Sequence, residues 1–322
     1  KFGCYDDRAE ILTNTGWKFF KNVTIEDQVA CLVDGEKLEY HYPTNTFKYD
    51  YVGKMYKLET RGVDILVTPN HKLYIAEPDR LDGNNYRPYK RTSMPFELTT
   101  FEKFYLKNKK FKKSASWSGK ELDTVTIPGY SYESYMKLWD KNRRYIKKDK
   151  VFIADDFLAF LGWFVSEGCA GKDGDISIAC NNVDGGKEKN IISEVIIKIG
   201  YPIKTALENK SALIFKIYDT QLARWLLLNC GHLAHNKKCP EFVKELSPRQ
   251  IKIFLETLYL GDGHKAETSK ILTTVSQKLS DDVQELIFKS GDTFRETRYP
   301  ARITGFMVSK PYYCINWMKL KY

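Results

Sequence analysis

The sequence contains no CxxC pair, and its cysteine count is odd, seven among 322 residues. Zinc knuckles and disulfide frameworks both need paired cysteines, so neither class of protein fits this pattern. Unpaired cysteines are typical of a reducing compartment, and we therefore expect an intracellular protein. The cysteines stand at positions 4, 31, 169, 180, 230, 239 and 314.

Long apolar runs are also missing. The longest run spans nine residues, 157–165, which is too short to cross a bilayer. The N-terminal sequence KFGCYDDRAE lacks the apolar stretch of a signal peptide. We therefore predict a soluble protein without a membrane partner.

Acidic residues are outnumbered by basic ones, 41 Asp and Glu against 51 Lys and Arg, which gives a net charge of +10. This balance favours a polyanionic partner such as DNA or RNA. The imbalance is strongest at 101–150, with 14 basic residues against 6 acidic ones. We interpret this segment either as a solvated basic linker or as an insertion that faces DNA phosphates.

Two regions show regular patterns. Residues 8–76 contain short runs of β-branched and aromatic residues separated by Gly, Asn and Asp, which predicts a compact all-β module. From residue 151 onward, an apolar helix ending in an acid and a glycine, a strand, a helix and a strand occur twice. The two copies, about 151–246 and 247–322, predict a pseudo-twofold arrangement in an α+β domain.

The two apolar helices end in Glu167-Gly168 and Asp262-Gly263, so their acids are 95 positions apart. Helices this apolar are expected to pack against each other, and the small residues within them, Gly162 and Gly261, permit a close approach. Glu167 and Asp262 would then meet at one end, and two juxtaposed carboxylates favour a hard divalent cation. Carboxylates with metal ions beside a basic surface are suited to phosphodiester hydrolysis.

The segments FLGWFVSEG (160–168) and LETLYLGDG (255–263) resemble the two motifs of a monomeric LAGLIDADG homing endonuclease of the DOD type. The resemblance implies two αββαββα repeats whose sheets straddle double-stranded DNA, and a staggered double-strand cut. It implies that Glu167 and Asp262 are catalytic and bind Mg²⁺ or Mn²⁺, and we include Gly168 and Gly263 in the predicted metal site.

A further block precedes the second motif. The stretch NKKCPEFVKEL (236–246) resembles the family block that usually contains Lys-x-Ile-Pro. Lys237 falls at its lysine position, where the family places a basic active-site residue, and Cys239 replaces the usual Ile. The resemblance therefore adds Lys237 to the predicted catalytic residues.

At the other end of the chain, CYDDRAEIL and the later stretch LVTPNHKLYI resemble the N-terminal part of a Hint domain, the splicing fold of inteins. The resemblance implies a Hint module at 4–100, preceded by host (extein) residues 1–3. Cys4 would attack the carbonyl of Gly3 in an N–S acyl shift that needs no cofactor. His71 would protonate the departing amine and Thr68 would polarise the strained bond.

The sequence departs from the intein pattern near its end. It contains no His after His264 and no terminal Asn, so the C-terminal splicing blocks are absent from it. Truncation, a split module with its complementary segment on another polypeptide, and loss of splicing all remain open. We expect no splicing from this sequence alone.

Two other patterns are weaker. Cys230, His232, His235 and Cys239 do not follow a zinc-site spacing, and DGGK at 184–187 lacks the other residues of a phosphate-binding loop. The sequence thus predicts a multidomain, intein-encoded endodeoxyribonuclease. The alternative is a LAGLIDADG protein that binds nucleic acid without cutting it, such as a maturase or a regulator. The Hint-like segment favours the nuclease.

Overall fold

The structure is a computed structural model, and it divides the chain into two compact units, Lys1–Ser116 and Trp117–Tyr322. It describes residues 3–60, 63–84, 87–134, 143–181, 187–207, 212–265, 269–301, 303–304, 307–308 and 310–319. The border between the units lies inside the predicted segment 101–150. None of the helices in the described ranges combines the length and apolarity needed to cross a lipid bilayer.

The N-terminal unit is built from small antiparallel sheets. Its first sheet, in the order β2-β1-β3-β4, comprises Glu10–Thr13 (β1), Gly16–Phe19 (β2), Val29–Val33 (β3) and Lys37–His41 (β4). Two hairpins pair Tyr56–Thr60 (β5) with Val63–Val67 (β6) and Arg80–Asn84 (β8) with Arg87–Thr92 (β9). A three-stranded sheet, in the order β10-β7-β11, comprises Lys72–Ala76 (β7), Glu97–Thr100 (β10) and Lys110–Phe111 (β11). The helical turns are Phe20–Asn22, a 3₁₀ turn, and Phe101–Phe104 (α1).

Strands dominate this unit, as the alternating pattern predicts, and its core is small. The cluster of buried hydrophobic side chains comprises Tyr56, Val67, Ile75, Phe101 and Phe104. Two of the five come from α1, which lies within the segment predicted to be a basic linker or a DNA-facing insertion. The role of that segment stays a prediction.

The C-terminal unit begins with two antiparallel pairs. Thr124–Ile127 (β12) pairs with Lys150–Ile153 (β15), and Tyr130–Ser134 (β13) pairs with Arg143–Lys147 (β14). Val125, Ile127 and Phe152 from the first pair are buried in the core of this unit. Residues from the basic segment therefore contribute to the cores of both units.

Two repeats follow. The first comprises Ala154–Glu167 (α2), Gly168–Ala170 (β16), Asp175–Asn181 (β17), Lys187–Lys198 (α3), Thr205–Leu207 (β18), Ala212–Tyr218 (β19) and Thr220–Cys230 (α4). Two 3₁₀ turns, Ala234–Asn236 and Glu241–Glu245, connect it to the second repeat. The second comprises Pro248–Asp262 (α5), Gly263–Lys265 (β20), Lys270–Thr274 (β21), Gln277–Lys289 (α6), Thr293–Tyr299 (β22), Ile303–Thr304 (β23), Met307–Val308 (β24) and Tyr312–Met318 (β25).

The two repeats share one sheet topology. The strand orders are β16-β17-β19-β18 and β20-β21-β25-β22, so in both sheets the second strand pairs with the first and the fourth. This equivalence agrees with the predicted internal repeat. The first repeat has the predicted αββαββα order, whereas the described part of the second contains the β23–β24 hairpin and no counterpart of α4.

Local sequence explains where the helices begin. The side chain of Asp219 accepts hydrogen bonds from the backbone of Gln221 and Leu222 at the start of α4. Ser247 caps α5 through the Gln250 amide, and Pro248 occupies the first turn, where its missing N–H costs nothing. One continuous core of α2, α5, α6 and the inner faces of both sheets fills this unit.

Candidate functional site

Helices α2 and α5 cross at two levels, and each level pairs equivalent positions of the two motifs. Gly162, five residues before Glu167, faces Thr257, five residues before Asp262. Ser166, one residue before Glu167, faces Gly261, one residue before Asp262. Such pairing of equivalent positions is the property of a twofold interface, here within one chain.

The crossing is close enough to require glycine. A Cβ on Gly162 would lie 2.6 Å from the Phe254 carbonyl oxygen, and one on Gly261 would lie 2.7 Å from the Ser166 Cβ. The facing hydroxyls are satisfied inside their own helices. Ser166 donates to Gly162 and Trp163 carbonyls, and Thr257 donates to those of Ile253 and Phe254, all at 3.1 Å.

Glu167 and Asp262 are the last residues of these two helices, so the crossing brings the acids to the same end. A Cβ on Gly261 would lie 3.1 Å from the Glu167 Cγ, which places the Glu167 side chain against the residue before Asp262. Together with Lys237, both acids line one cavity of about 470 Å³. The three predicted nuclease side chains therefore share a site.

Gly168 and Gly263 follow the acids where the chain turns from helix into strand. Their backbone φ angles, −90° and −103°, lie in the ordinary extended region, so their glycine identity is not a matter of left-handed geometry. The reason is steric, because each turn folds back over the last helical turn. A Cβ on Gly168 would lie 2.5 Å from the Phe164 carbonyl oxygen, and one on Gly263 would lie 2.6 Å from the Tyr259 Cε2.

The carboxylates share an environment that opposes their charge. Burial raises the pKa of Glu167, and Glu188 raises it further. Burial and the neighbouring Glu167 together raise the pKa of Asp262 to about 7, although that residue also contacts solvent in the cavity. Lys237 lowers the pKa of both acids without cancelling these effects. The pair therefore favours a bound cation or a proton at neutral pH.

Lys237 is buried, with 7% of its surface exposed, and burial lowers its pKa. Its ammonium donates to the carbonyl oxygens of Phe164 at 2.8 Å and Gly168 at 2.6 Å, and it lies 4.4 Å from the centre of the Phe164 ring. Lys237 thus binds the C-terminal end of α2, where unpaired carbonyls favour a positive charge. The carbonyl oxygen of Gly168, a residue of the predicted metal site, is therefore already hydrogen-bonded to the Lys237 ammonium.

Of the zinc candidates, His232 lines the same cavity as the two acids. Cys230 and Cys239 are buried, whereas His232 and His235 are exposed. Within the described ranges no three His, Cys, Asp or Glu side chains converge into a metal-binding group. The acid pair is thus a set of two protein carboxylates, which suits a cation that completes its coordination with water and phosphate oxygens.

A second cluster of predicted residues lies in the N-terminal unit. The Cys4 amide donates to the Thr68 hydroxyl at 2.9 Å, and the Thr68 amide donates to the Cys4 carbonyl at 3.0 Å. Thr68 is buried, and its carbonyl accepts from the His71 amide at 3.0 Å. The turn at 68–71 thereby places Thr68 against the nitrogen of the Gly3–Cys4 peptide bond.

His71 lies beside Gly3, the residue that precedes that bond. A Cβ on Gly3 would lie 2.5 Å from the His71 Cα, and the His71 ring packs edge-on against Tyr5 with centroids 4.2 Å apart. Burial lowers the pKa of His71, and a hydrogen bond with the Gly3 backbone partly opposes that effect. The His71 Nδ1 is buried without a hydrogen-bond partner in the described structure. Cys4, Thr68 and His71 therefore surround one peptide bond.

The sequence patterns missed the side chains that hold the Lys237 loop. The hydroxyl of Ser276 donates to the Lys237 carbonyl at 2.6 Å, and the carboxylate of Asp282 accepts from the Cys239 amide at 3.0 Å. Both residues occur in or beside a polar helix sequence, SQKLSDDVQEL, which gave no indication that they are buried.

The chain is similar to segments of two differently named proteins and matches no protein-family profile. The ATP-dependent Clp protease proteolytic subunit of Chlamydomonas moewusii is 27% identical over 313 residues, which cover 90% of this chain and 28% of that protein. The DNA-directed RNA polymerase subunit beta C-terminal section of Stigeoclonium helveticum is 25% identical over 268 residues, with 79% and 23% covered. The chain spans about a quarter of each relative.

Homing endonucleases are among the solved structures similar to this chain. I-DmoI in complex with DNA and calcium gives a TM-score of 0.36 at 13% identity, covering 51% of this chain and 83% of that one. I-DmoI with DNA and manganese gives 0.36 at 12% identity, covering 51% and 89%. The homing endonuclease I-WcaI, bound to its DNA recognition sequence, gives 0.30 at 14% identity, covering 51% and 76%.

Proposed function

We propose that the chain is an intein-type protein in which a LAGLIDADG homing endonuclease, the C-terminal unit, accompanies a self-processing Hint module, the N-terminal unit. The endonuclease makes a metal-dependent double-strand cut in the host gene that lacks the insertion. The observation that carries this proposal is the pair of acids, Glu167 and Asp262, held side by side in one cavity by crossing helices.

The acid pair fits a hard divalent cation. Two carboxylates whose pKa values are raised gain from a positive charge between them, and Mg²⁺ prefers one or two carboxylates together with phosphate oxygens. Glu167 and Asp262 would hold the ion, which when bound supplies activation of water and stabilisation of the leaving oxygen. Lys237 fixes the end of the helix that carries Glu167 and keeps a positive charge beside both acids.

The N-terminal cluster fits an N–S acyl shift. The Cys4 thiol would attack the Gly3 carbonyl carbon, form a thioester and release the Cys4 amine. Thr68 accepts the hydrogen bond of that amide nitrogen, and His71 is placed beside Gly3 to deliver the proton that the departing amine needs. Completing the splicing reaction would need the C-terminal blocks from a further segment, in cis or in trans.

The relatives support an inserted element. A protease subunit and an RNA polymerase subunit have unrelated names, yet each contains a segment similar to most of this chain. A segment that recurs in different proteins, and accounts for about a quarter of each, is what an intein inside different hosts produces. The matched span of 313 residues also includes residues of both units, as expected when the two units are inserted together as one element.

The nuclease is tested on supercoiled plasmids that carry host sequence rejoined across the insertion point, with Mg²⁺ or Mn²⁺. The expected result is linear DNA from the wild-type chain and none from Glu167→Gln or Asp262→Asn. Glu194→Gln, on the exposed face of α3, is the matched control and should cut normally. Retarded DNA without cleavage, identical in wild type and Glu167→Gln, would instead favour the non-cutting nucleic-acid binder.

The acyl shift is tested by thiol-induced release at Gly3–Cys4, with a C-terminal Hint segment supplied. Cys4→Ala should abolish release because no thioester forms, and Thr68→Ala and His71→Ala should slow it. Equal release from Cys4→Ala would show that the bond breaks by another route.

A further inference from the structure

The loop that carries Lys237 is bonded at two places to the second repeat, while its ammonium is bonded to the first. Toward the first repeat, Lys237 donates to the Phe164 and Gly168 carbonyls at the end of α2. Toward the second, the Lys237 carbonyl accepts from Ser276, which is the N-cap residue of α6. Lys237 thus joins the end of one repeat's motif helix to the start of the other repeat's second helix.

Ser276 has no exposed surface and uses its hydroxyl in both directions. It donates to the Lys237 carbonyl at 2.6 Å and accepts from the Leu279 amide at 3.2 Å. The Ser276 amide in turn donates to the Thr274 hydroxyl at 3.1 Å. Since a hydroxyl has one proton, its donation is committed to the loop, and the main chain at Lys237 has a fixed position relative to α6.

Asp282 holds the loop two residues further along. It is 1% exposed, and it accepts from the Cys239 amide at 3.0 Å. Its charge is balanced by Lys244 at 2.7 Å and Lys278 at 2.8 Å. Displacing the loop at Cys239 would therefore break a hydrogen bond to a buried carboxylate, which is stronger than one between neutral groups and costly to leave unmade.

We propose that Ser276 and Asp282 are positioning residues of the nuclease site. They hold the main chain at 237–239 so that the Lys237 ammonium stays on the last carbonyls of α2, and thereby fix the end of the helix that carries Glu167. The inference rests on the proposed function, because the site that is positioned is the proposed nuclease site. Neither residue touches the reacting atoms, and each acts through Lys237.

The first test is hydrogen exchange of the full chain without metal, which does not depend on cleavage. In Ser276→Ala, the amides at 164–170 should exchange at least about 10-fold faster, while those at Ala212–Tyr218 in the same repeat stay protected. Ser280→Ala is the matched control, because Ser280 is equally buried on α6 and its hydroxyl bonds Glu296 instead of the loop. It should leave 164–170 protected.

The second test is DNA cleavage by the same variants. Ser276→Ala and Asp282→Asn should lower kcat by about 10- to 100-fold with KM for DNA unchanged, as is usual when a group that orients a metal ligand is removed. Ser280→Ala should cut like wild type. Should Asp282→Asn fail to fold, Ser276→Ala carries the comparison.

The outcomes separate the two proposals. If the wild-type chain does not cut DNA but exchange at 164–170 is still faster in Ser276→Ala, the proposed nuclease function is contradicted. The positioning of the Lys237 loop by Ser276 is then still supported. A wild-type chain that cuts, with Ser276→Ala matching Ser280→Ala in exchange and in kcat, overturns the positioning role alone. An equal increase in the exchange rate at 164–170 and at 212–218 in Ser276→Ala also overturns the positioning role, because such an increase indicates a general loss of stability.

Discussion

The two units of this chain differ most in how their apolar residues are used. The C-terminal unit gathers 40 buried hydrophobic residues into one continuous cluster, whereas the N-terminal cluster has five among the described residues. Among the residues whose burial is described, the N-terminal unit exposes 12 large hydrophobic side chains, against 10 in the larger C-terminal unit.

The segment at 42–52 shows the difference most clearly. It contains Tyr42, Phe47, Tyr49, Tyr51 and Val52, all about half exposed or more, and it has no regular secondary structure. In the C-terminal unit, by contrast, the buried side chain of Lys244 forms an ion pair with the buried Asp282. Among the described residues, the C-terminal unit therefore buries its apolar side chains in a larger core than the N-terminal unit does.

The largest effect that tests this comparison is folding in isolation. Residues 117–322 expressed alone should unfold cooperatively in urea, with a free energy of unfolding in the usual range of about 5–15 kcal/mol. Residues 1–116 alone should show little near-ultraviolet circular dichroism and no sharp transition, because five core side chains do not offset the entropy of ordering the chain. A cooperative transition of 1–116 would contradict the comparison.

The next effect concerns the helix crossing. Gly162→Ala should lower the free energy of unfolding of the C-terminal unit by about 1–3 kcal/mol, since the new Cβ would meet the Phe254 and Leu258 backbone. The sign of this change in the free energy of unfolding is informative, because Gly→Ala in a solvent-exposed helix adds about 1 kcal/mol of stability. Leu228→Ala, on the exposed face of α4, is the control and should have little effect. A stabilised Gly162→Ala would mean that the helices are further apart.

The equivalent test in the N-terminal unit is Gly3→Ala. The added Cβ would meet the backbone of His71, so the Gly3–Cys4 bond would be displaced from Thr68 and His71. We expect thiol-induced release to slow by about 10-fold, which corresponds to about 1.4 kcal/mol in the barrier. Asp7→Ala, an exposed change nearby, should leave the rate unchanged. Equal rates for both variants would mean that the site tolerates any residue before Cys4.

These sites were predictable from sequence to different extents. Apolar periodicity ending in acid and glycine located α2 and α5, and Gly162 indicated their close crossing, because these features are local and repeated. The strands of three residues, such as β16 and β18, escaped detection because they are too short to show alternation. Strand β22, TFRETRY, was missed because its charged residues resemble a loop, although Glu296 within it is paired with Ser280.

The roles of buried polar groups were beyond the sequence. The identity of Lys237 followed from a family resemblance, but its burial against the Phe164 and Gly168 carbonyls depends on contacts about 70 positions apart. Asp282 resembles any surface acid on an amphipathic helix, and only the tertiary fold buries it. Hydrophobic patterning predicts which faces pack together, whereas partners of buried charges are set by the packing itself.

The smallest expected effect is in pH dependence, and it has opposite sign in the two units. Because the pKa of Asp262 is raised to about 7 in the fold, its protonated form is favoured there, and acidification from pH 8 toward 4 should remove the destabilisation that this buried carboxylate causes. The pKa of His71 is lowered, so its neutral form is favoured, and stability at that site is full above about pH 6.5 and is lost as the pH falls through the folded value.

Two variants isolate these contributions in metal-free buffer. Asp262→Asn should raise the free energy of unfolding of the C-terminal unit at pH 8 and have little effect at pH 4, because the wild-type carboxyl is already neutral there. His71→Gln should make hydrogen exchange at 66–72 less sensitive to acid, because the ring that must gain a proton is gone. If both variants shift stability in the same direction with pH, at least one of the two side chains is not buried as described. The contrast between the two units would then hold for their hydrophobic cores but not for Asp262 and His71.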